Sequence, residues 1–190
     1  MSFPFVSDKI NGAKIDVIAT ESASCPKMTK GPFAYDHGDV AKMTPLLPMF
    51  TLGHAFIPAP IHAGGLRYHG MAPLVSQCAV EGLVRPKAYD QLKCYEAAML
   101  WAKTEGFICA PETSHAIACT IDEANKAKEE GKEKVILFNY SGHGLLDLAG
   151  YEKYMTGKIK ELSISDDEIC ESLKVIENFP KVKKAKTGKW

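Results

Sequence analysis

The stretch Ser141-Gly142-His143-Gly144 follows an apolar run from Val135 to Phe138. Its glycines would let the backbone approach a flat or anionic ligand closely, and Ser141 offers a neutral hydroxyl. The same pattern also serves ordinary strand-to-helix turns, and it lacks the spacing of a dinucleotide or P-loop fingerprint. Glu112 follows a second apolar run, Phe107 to Ala110. It reads either as a ligand group at the same sheet edge as Ser141 or as an acid that favours the positive end of a helix. A third candidate is the loop Ile61 to Gly70, where Gly64 and Gly65 are adjacent and His62, His69 and Arg67 lie close by. The Arg67 guanidinium suits a carboxylate or phosphate bidentately, or a plain surface ion pair. The six histidines (37, 54, 62, 69, 115 and 143) include no i, i+4 pair, so a metal site is only a distant alternative. The six cysteines are widely spaced with no CxxC pair, and they read as small core residues of a reduced protein. No nucleophile elbow is present.

These groups need elements to position them. Lys14 to Ala19 is a β-branched run that predicts a buried strand ending in the polar loop Thr20-Glu21-Ser22. From Ser24 to Gly70, six prolines and six glycines break every helical pattern except a short one near Val40 to Met43. Loops of such length in a compact domain are usually functional. Leu92, Tyr95, Met99 and Ala102 recur at helical spacing, with Asp90 as N-cap and Gly106 as the stop. Phe107 to Ala110 predicts a short strand. Pro111 then opens a segment to Gly131 with Ala116, Ile117, Thr120, Ile121 and Ala124 on one stripe, its later part charged as on a solvated face. Val135 to Phe138 is the clearest buried strand. The order strand, helix, strand, helix, strand predicts an α/β fold with a mostly parallel open sheet flanked by helices. In such sheets ligands sit beyond the carboxyl ends of the strands. An acidic stretch at Asp166-Asp167-Glu168 caps a helix through Val175, and a basic tail follows Pro180.

Composition bounds the function. The chain has 190 residues, 46% of them hydrophobic and 24% charged, enough for one sizeable core. Lys plus Arg and Asp plus Glu are both 23, so no global field gathers nucleic acid or anionic lipid. No apolar stretch reaches the length of a membrane span, and the first residues lack the basic flank and apolar core of a secretion signal. The expectation is a cytoplasmic protein with no nucleic-acid or membrane partner.

Six runs carry a more specific signal: Cys25 to Gly31, Tyr35 to Asp39, Thr51 to His54, His62 to Gly70, Ala110 to Ala116 and Ser141 to Asp147. In that order, from about Phe3 to Thr156, they resemble the longer-chain class of tryptophan synthase beta chains. The resemblance implies the C-terminal domain portion of a pyridoxal-phosphate enzyme of fold type II over residues 1–158, with a C-terminal helix and basic tail over 159–190. It implies a lyase of tryptophan biosynthesis that replaces the hydroxyl of L-serine, or of a serine derivative, with indole.

It also implies roles for individual residues. Ser141 matches the serine that meets the pyridine nitrogen of the cofactor, and Glu112 the glutamate beside its ring. Gly142 and Gly144 complete the turn around the ring, while Gly64 and Gly65 match the loop close to substrate and cofactor. Arg67 stands where shorter-chain beta subunits carry an aspartate, and it suits an anionic serine derivative such as phosphoserine. A monovalent cation is a further possible cofactor. No lysine here falls in the family's Schiff-base motif, so the catalytic residues of the covalent chemistry are expected on an N-terminal half, as a separate chain or a missing segment. Alone, the chain is expected to be inactive and to self-associate, since an apolar face is left uncovered. A homo-oligomer is expected, with an alpha subunit left open. Alternatives are a non-catalytic remnant acting as a binding or assembly module, and a sister pyridoxal-phosphate lyase acting on another amino acid.

Overall fold

The structure, a computed structural model, describes residues 2–183. Lys181 and Lys183 of the basic tail fall inside that range; Lys184, Lys186 and Lys189 lie outside it.

The protein is α/β, with a parallel strand pair flanked by helices and a separate antiparallel hairpin. Helix α1 (Phe3–Ile10) leads into strand β1 (Ile18–Ser22), which pairs in parallel with β4 (Arg85–Tyr89) in the register Ile18 to Arg85 through Ser22 to Tyr89. The strand thus begins later than the apolar run suggests and takes in Thr20, Glu21 and Ser22. Glu21 is only 1% exposed. Its carboxylate is satisfied by the amides of Met28 at 2.9 Å and Thr29 at 2.8 Å and by the Thr29 hydroxyl at 2.6 Å. A buried acid is tolerated when hydrogen bonds replace its water.

The Pro- and Gly-rich region holds a hairpin, β2 (Phe33–Asp36) with β3 (Leu47–Phe50), and then α2 (Pro73–Val80). The short helix expected near Val40 is a turn instead. Asp39 accepts from the amides of Met43 at 3.0 Å and Thr44 at 2.8 Å, and Lys42 takes a left-handed φ of 59°. A side chain that bonds the backbone locally competes with helix formation.

Helix α3 (Gln91–Glu105) has the expected limits, and Gly106 closes it at φ 80°. Asp90 occupies the N-cap without a side-chain bond. The free amides of Gln91 and Leu92 donate to the two carboxylate oxygens of Glu161, at 3.0 and 3.1 Å. Helix α4 (Pro111–Glu129) packs on α3 and over β1 and β4. Its buried face carries Thr113, Ser114, Ile117 and Ala118, whereas Ala124 is exposed, so the stripe is rotated from the expected one. The core between these elements contains Tyr89, Cys94, Tyr95, Ala98, Cys109, Ile117 and Tyr151. All six cysteines are free, and all but Cys170 are buried.

Two expected strands differ. Phe107 to Ala110 forms only one antiparallel bridge, Cys109 with His143. Val135 to Phe138 is extended yet pairs with no strand among the described residues, and Val135 is 98% and Leu137 65% exposed. Phe138 and Tyr140 alternate inward onto Trp101. A strand buried on both faces needs a ladder neighbour, and without one its outer face meets solvent.

The chain continues through α5 (Leu148–Met155) to α6 (Asp166–Leu173). Helix α6 opens on a capping box between Ser165 and Glu168 and ends in a 3-10 turn over Lys174–Ile176. Ser172 Oγ donates to the Leu52 carbonyl at 2.6 Å and holds α6 against the hairpin region. Among the described residues no helix is long and apolar enough to cross a membrane.

Candidate functional site

The N-terminus of α4 brings the candidate residues together. The bridge between Cys109 and His143 lays residues 108–110 against 142–144, with Ala110 N donating to Gly142 O and Gly144 N to Ile108 O, both at 2.8 Å. A Cβ on Gly144 would lie 2.3 Å from the Cys109 carbonyl oxygen, so glycine there serves the close approach of the chain to itself. On Gly142 it would meet only the Ala110 Cβ, at 3.2 Å.

Thr113, in the first turn of α4 and 1% exposed, ties the turn together. Its hydroxyl accepts from Gly142 N at 3.0 Å and lies 2.9 Å from Ser141 Oγ and 3.1 Å from Gly142 O. Thr113 has one proton: given to Gly142 O, it lets Ser141 donate to Thr113, and given to Ser141 Oγ, it leaves the Ser141 proton for an acceptor outside. Ser141 itself is exposed.

Glu112 is the next residue along the same turn. Its Oε1 accepts from Gly65 N at 2.8 Å, so the carboxylate reaches across to the 3-10 turn Gly64–Leu66. A Cβ on Gly65 would press on Glu112 at 3.2 Å, while one on Gly64 would meet open space. Asp147 belongs to the same electrostatic neighbourhood. Burial and the Glu112 charge push its carboxyl up, against His143 and His62.

Arg67 is drawn aside rather than toward Ser141. Its Nη2 donates to the Pro58 carbonyl at 3.2 Å, and its Nε is buried with no partner. Beside it Lys27, only 3% exposed, has Nζ 3.3 Å from the Leu66 carbonyl and forms no ion pair among the described residues. His115, one turn into α4, donates from Nδ1 to the Pro111 carbonyl at 2.9 Å and leaves Nε2 buried without a partner. Burial holds its imidazole below the ordinary range.

No family model matches the chain. Among curated proteins it is 54% identical over 162 residues to the tryptophan synthase beta chain of Thermococcus onnurineus, a match covering 85% of this chain and 37% of the relative. It is 60% identical over 148 residues to tryptophan synthase beta chain 2 of Thermotoga maritima, covering 78% and 35%. The beta chain 2 of Methanosarcina mazei gives 53% over 157 residues, covering 82% and 36%. Over these residues the chain belongs to the tryptophan synthase beta chains. It spans little more than a third of the length of these relatives.

In this tryptophan synthase beta segment, the structure pairs Ser141 and Gly142 with Thr113, and Glu112 with Gly65, and leaves Arg67 apart. Sequence reasoning missed Thr113, Lys27, His115 and Asp147. Thr113 and His115 lie in the same run as Glu112, in the first turns of a helix opened by Pro111, and that position beside Glu112 is the signal that could have found them. Lys27 lies in the run Cys25 to Gly31, but nothing there shows that it is buried, because only tertiary packing takes it out of water.

Proposed function

We propose that this chain supplies one wall of the pyridoxal-phosphate site of a tryptophan synthase beta type lyase, the remainder coming from an N-terminal half. The observation that carries this reading is the hydroxyl pair Thr113–Ser141, 2.9 Å apart, beside a carboxylate fixed by Gly65 N. The residues fit the cofactor: an exposed neutral donor stands over a rigid glycine turn, with exposed Gly64 and Gly65 opposite. When bound, the cofactor supplies the electron sink for β-replacement.

The chain's own groups then have distinct tasks. Ser141 donates to the ring nitrogen, and a neutral hydroxyl leaves that nitrogen largely unprotonated, which a carboxylic acid partner would not. Thr113 positions that hydroxyl. Gly142 and Gly144 keep the turn narrow. Glu112 would lie beside the ring, its Oε1 held by Gly65 N and its Oε2 left for the substrate. Arg67 and Lys27 form no ion pair among the described residues, and an Arg67 released from Pro58 O by an incoming substrate would favour an anionic serine derivative over serine.

The test mixes the chain with an N-terminal half carrying the Schiff-base lysine and phosphate loop, pyridoxal phosphate, indole, and L-serine or phosphoserine, and follows tryptophan by chromatography. Formation of tryptophan that falls at least about tenfold in Ser141→Ala and Glu112→Gln is the expected result. No product from a soluble mixed complex would refute it and favour a binding or assembly module. Consumption of a nucleophile other than indole would favour a sister lyase.

A further inference from the structure

A cavity of about 280 Å³ that Ser141 does not line lies between the end of α5, the start of α3 and the loop before Gly64. Its walls include Lys153, Lys158, Lys160, His62, Gln91 and Pro60, and no acidic side chain. The chain as a whole is neutral, with 23 basic and 23 acidic residues, so three lysines around one cavity are a local feature. None of the three forms an ion pair among the described residues.

The backbone is built to bring them together. Helix α5 ends with Gly157 at φ 67°, and the amides of Lys158 and Ile159 turn back onto the Lys153 carbonyl, at 2.8 and 3.3 Å. This reversal sets Lys158 to Lys160 beside Lys153. Gln91, 6% exposed, pins the opposite wall: its Oε1 accepts from His62 N at 2.9 Å and its Nε2 donates to the Lys160 carbonyl at 3.0 Å. Lys153 stands in the last turn of α5, where a cation complements the helix dipole. That accounts for one lysine and not for the other two. The nearest acids are otherwise engaged. Glu161 gives both oxygens to the amides of α3, and Asp147, whose charge also acts on His62, does not line the cavity. Burial, and then the Lys153 ammonium, hold the His62 imidazole below its ordinary range. Lys153 and His62 line the same cavity, close enough for the one charge to act on the other.

We infer that this cavity is an anion site for a small phosphate monoester, with Lys153, Lys158 and Lys160 neutralising the phosphate and His62 donating to it. A dianion suits three point charges on flexible stems. The volume lies at the lower end of small-molecule sites and leaves room for a short organic body beyond the phosphate. The inference does not depend on the proposed cofactor site.

The experiment titrates the full 190-residue chain, without pyridoxal phosphate, with inorganic phosphate and separately with glycerol phosphate, by calorimetry and by the His62 ring signals in NMR. Saturable binding of both is expected, with the monoester at least as tight and the His62 signals shifted. Each of Lys153→Gln and Lys158→Gln should weaken binding about fivefold, the value of one charge pair near 4 Å in water, and the double variant about 25-fold. Lys181→Gln should change nothing. All are surface lysines, so unchanged melting curves establish that the variants are folded. A linear response up to about 10 mM, a double variant that binds like the parent, or equal displacement by chloride at matched ionic strength would overturn the site, the last meaning an adventitious ion only.

Discussion

Gly144→Ala tests whether the Ser141 turn is shaped by the chain's own backbone. The added Cβ would lie 2.3 Å from the Cys109 carbonyl oxygen, 2.9 Å from its carbon and 2.7 Å from Ile108 Cγ2. Two of those atoms are backbone, so no rotamer change relieves the contact. The segments 108–110 and 142–144 must separate, stretching the bonds Gly144 N to Ile108 O and Ala110 N to Gly142 O. Overpacking costs about 1–3 kcal/mol, and two weakened hydrogen bonds add about 1 kcal/mol each. A total near 3 kcal/mol should lower the melting temperature of a chain of this size by roughly 10 °C. Gly142→Ala is the matched control. Its Cβ meets only Ala110 Cβ at 3.2 Å, which a small shift absorbs at about 1 kcal/mol or less. Thermal unfolding by circular dichroism, repeated by urea titration, gives both numbers. Equal stability of the two variants would refute the assignment of Gly144 to backbone contact and return it to a role against a ligand.

Thr113→Val should cost about 1–2 kcal/mol, because it leaves a half-buried Gly142 amide without its acceptor, while Thr113→Ser should recover most of it; chemical unfolding of the two variants decides this. Asp39 is held down to about 2 by the Met43 amide and then by Thr44, so its turn is stabilised above the usual carboxylate range and loses that contribution as pH falls through about 2. The Thr44 amide shift should therefore titrate in that acid range, and Asp39→Asn should abolish the titration. Val135→Ser with Leu137→Ser should leave the melting temperature within about 2 °C yet reduce self-association in sedimentation, since both side chains are exposed; unchanged association would place the contact surface elsewhere.

The candidate site was legible in part. Ser141, Glu112, Gly64 and Gly65 could be picked out by residue type, and the structure sets Glu112 against Gly65 and Ser141 beside the next residue of the same helical turn. The role of Gly144 is less legible. A Ser-Gly-x-Gly run does not reveal whether a glycine makes room for a ligand or for the Cys109 carbonyl. Arg67 reads from sequence as an anion clamp or a surface ion pair, whereas the structure engages its Nη2 with Pro58 O and sets a buried Lys27 against the neighbouring Leu66 carbonyl.

What the sequence determined by itself is local. The limits of α3 at Asp90 and Gly106, the capping box at Ser165 and Glu168, and the breaks at Pro and Gly all depend on neighbours within one or two helical turns. Family membership is also written in the order of its six motif runs. Tertiary structure alone decided the rest. Whether Thr20 to Ser22 joins a strand depends on the amides that receive Glu21 and on the ladder to β4. Whether Val135 to Phe138 is buried depends on a strand neighbour that no described residue supplies. The physical reason is common to both. A backbone or a charge leaves water only when a partner is in place, and only the folded chain supplies that partner, whether it lies seven residues away, as Met28 does for Glu21, or 47, as Gly65 does for Glu112.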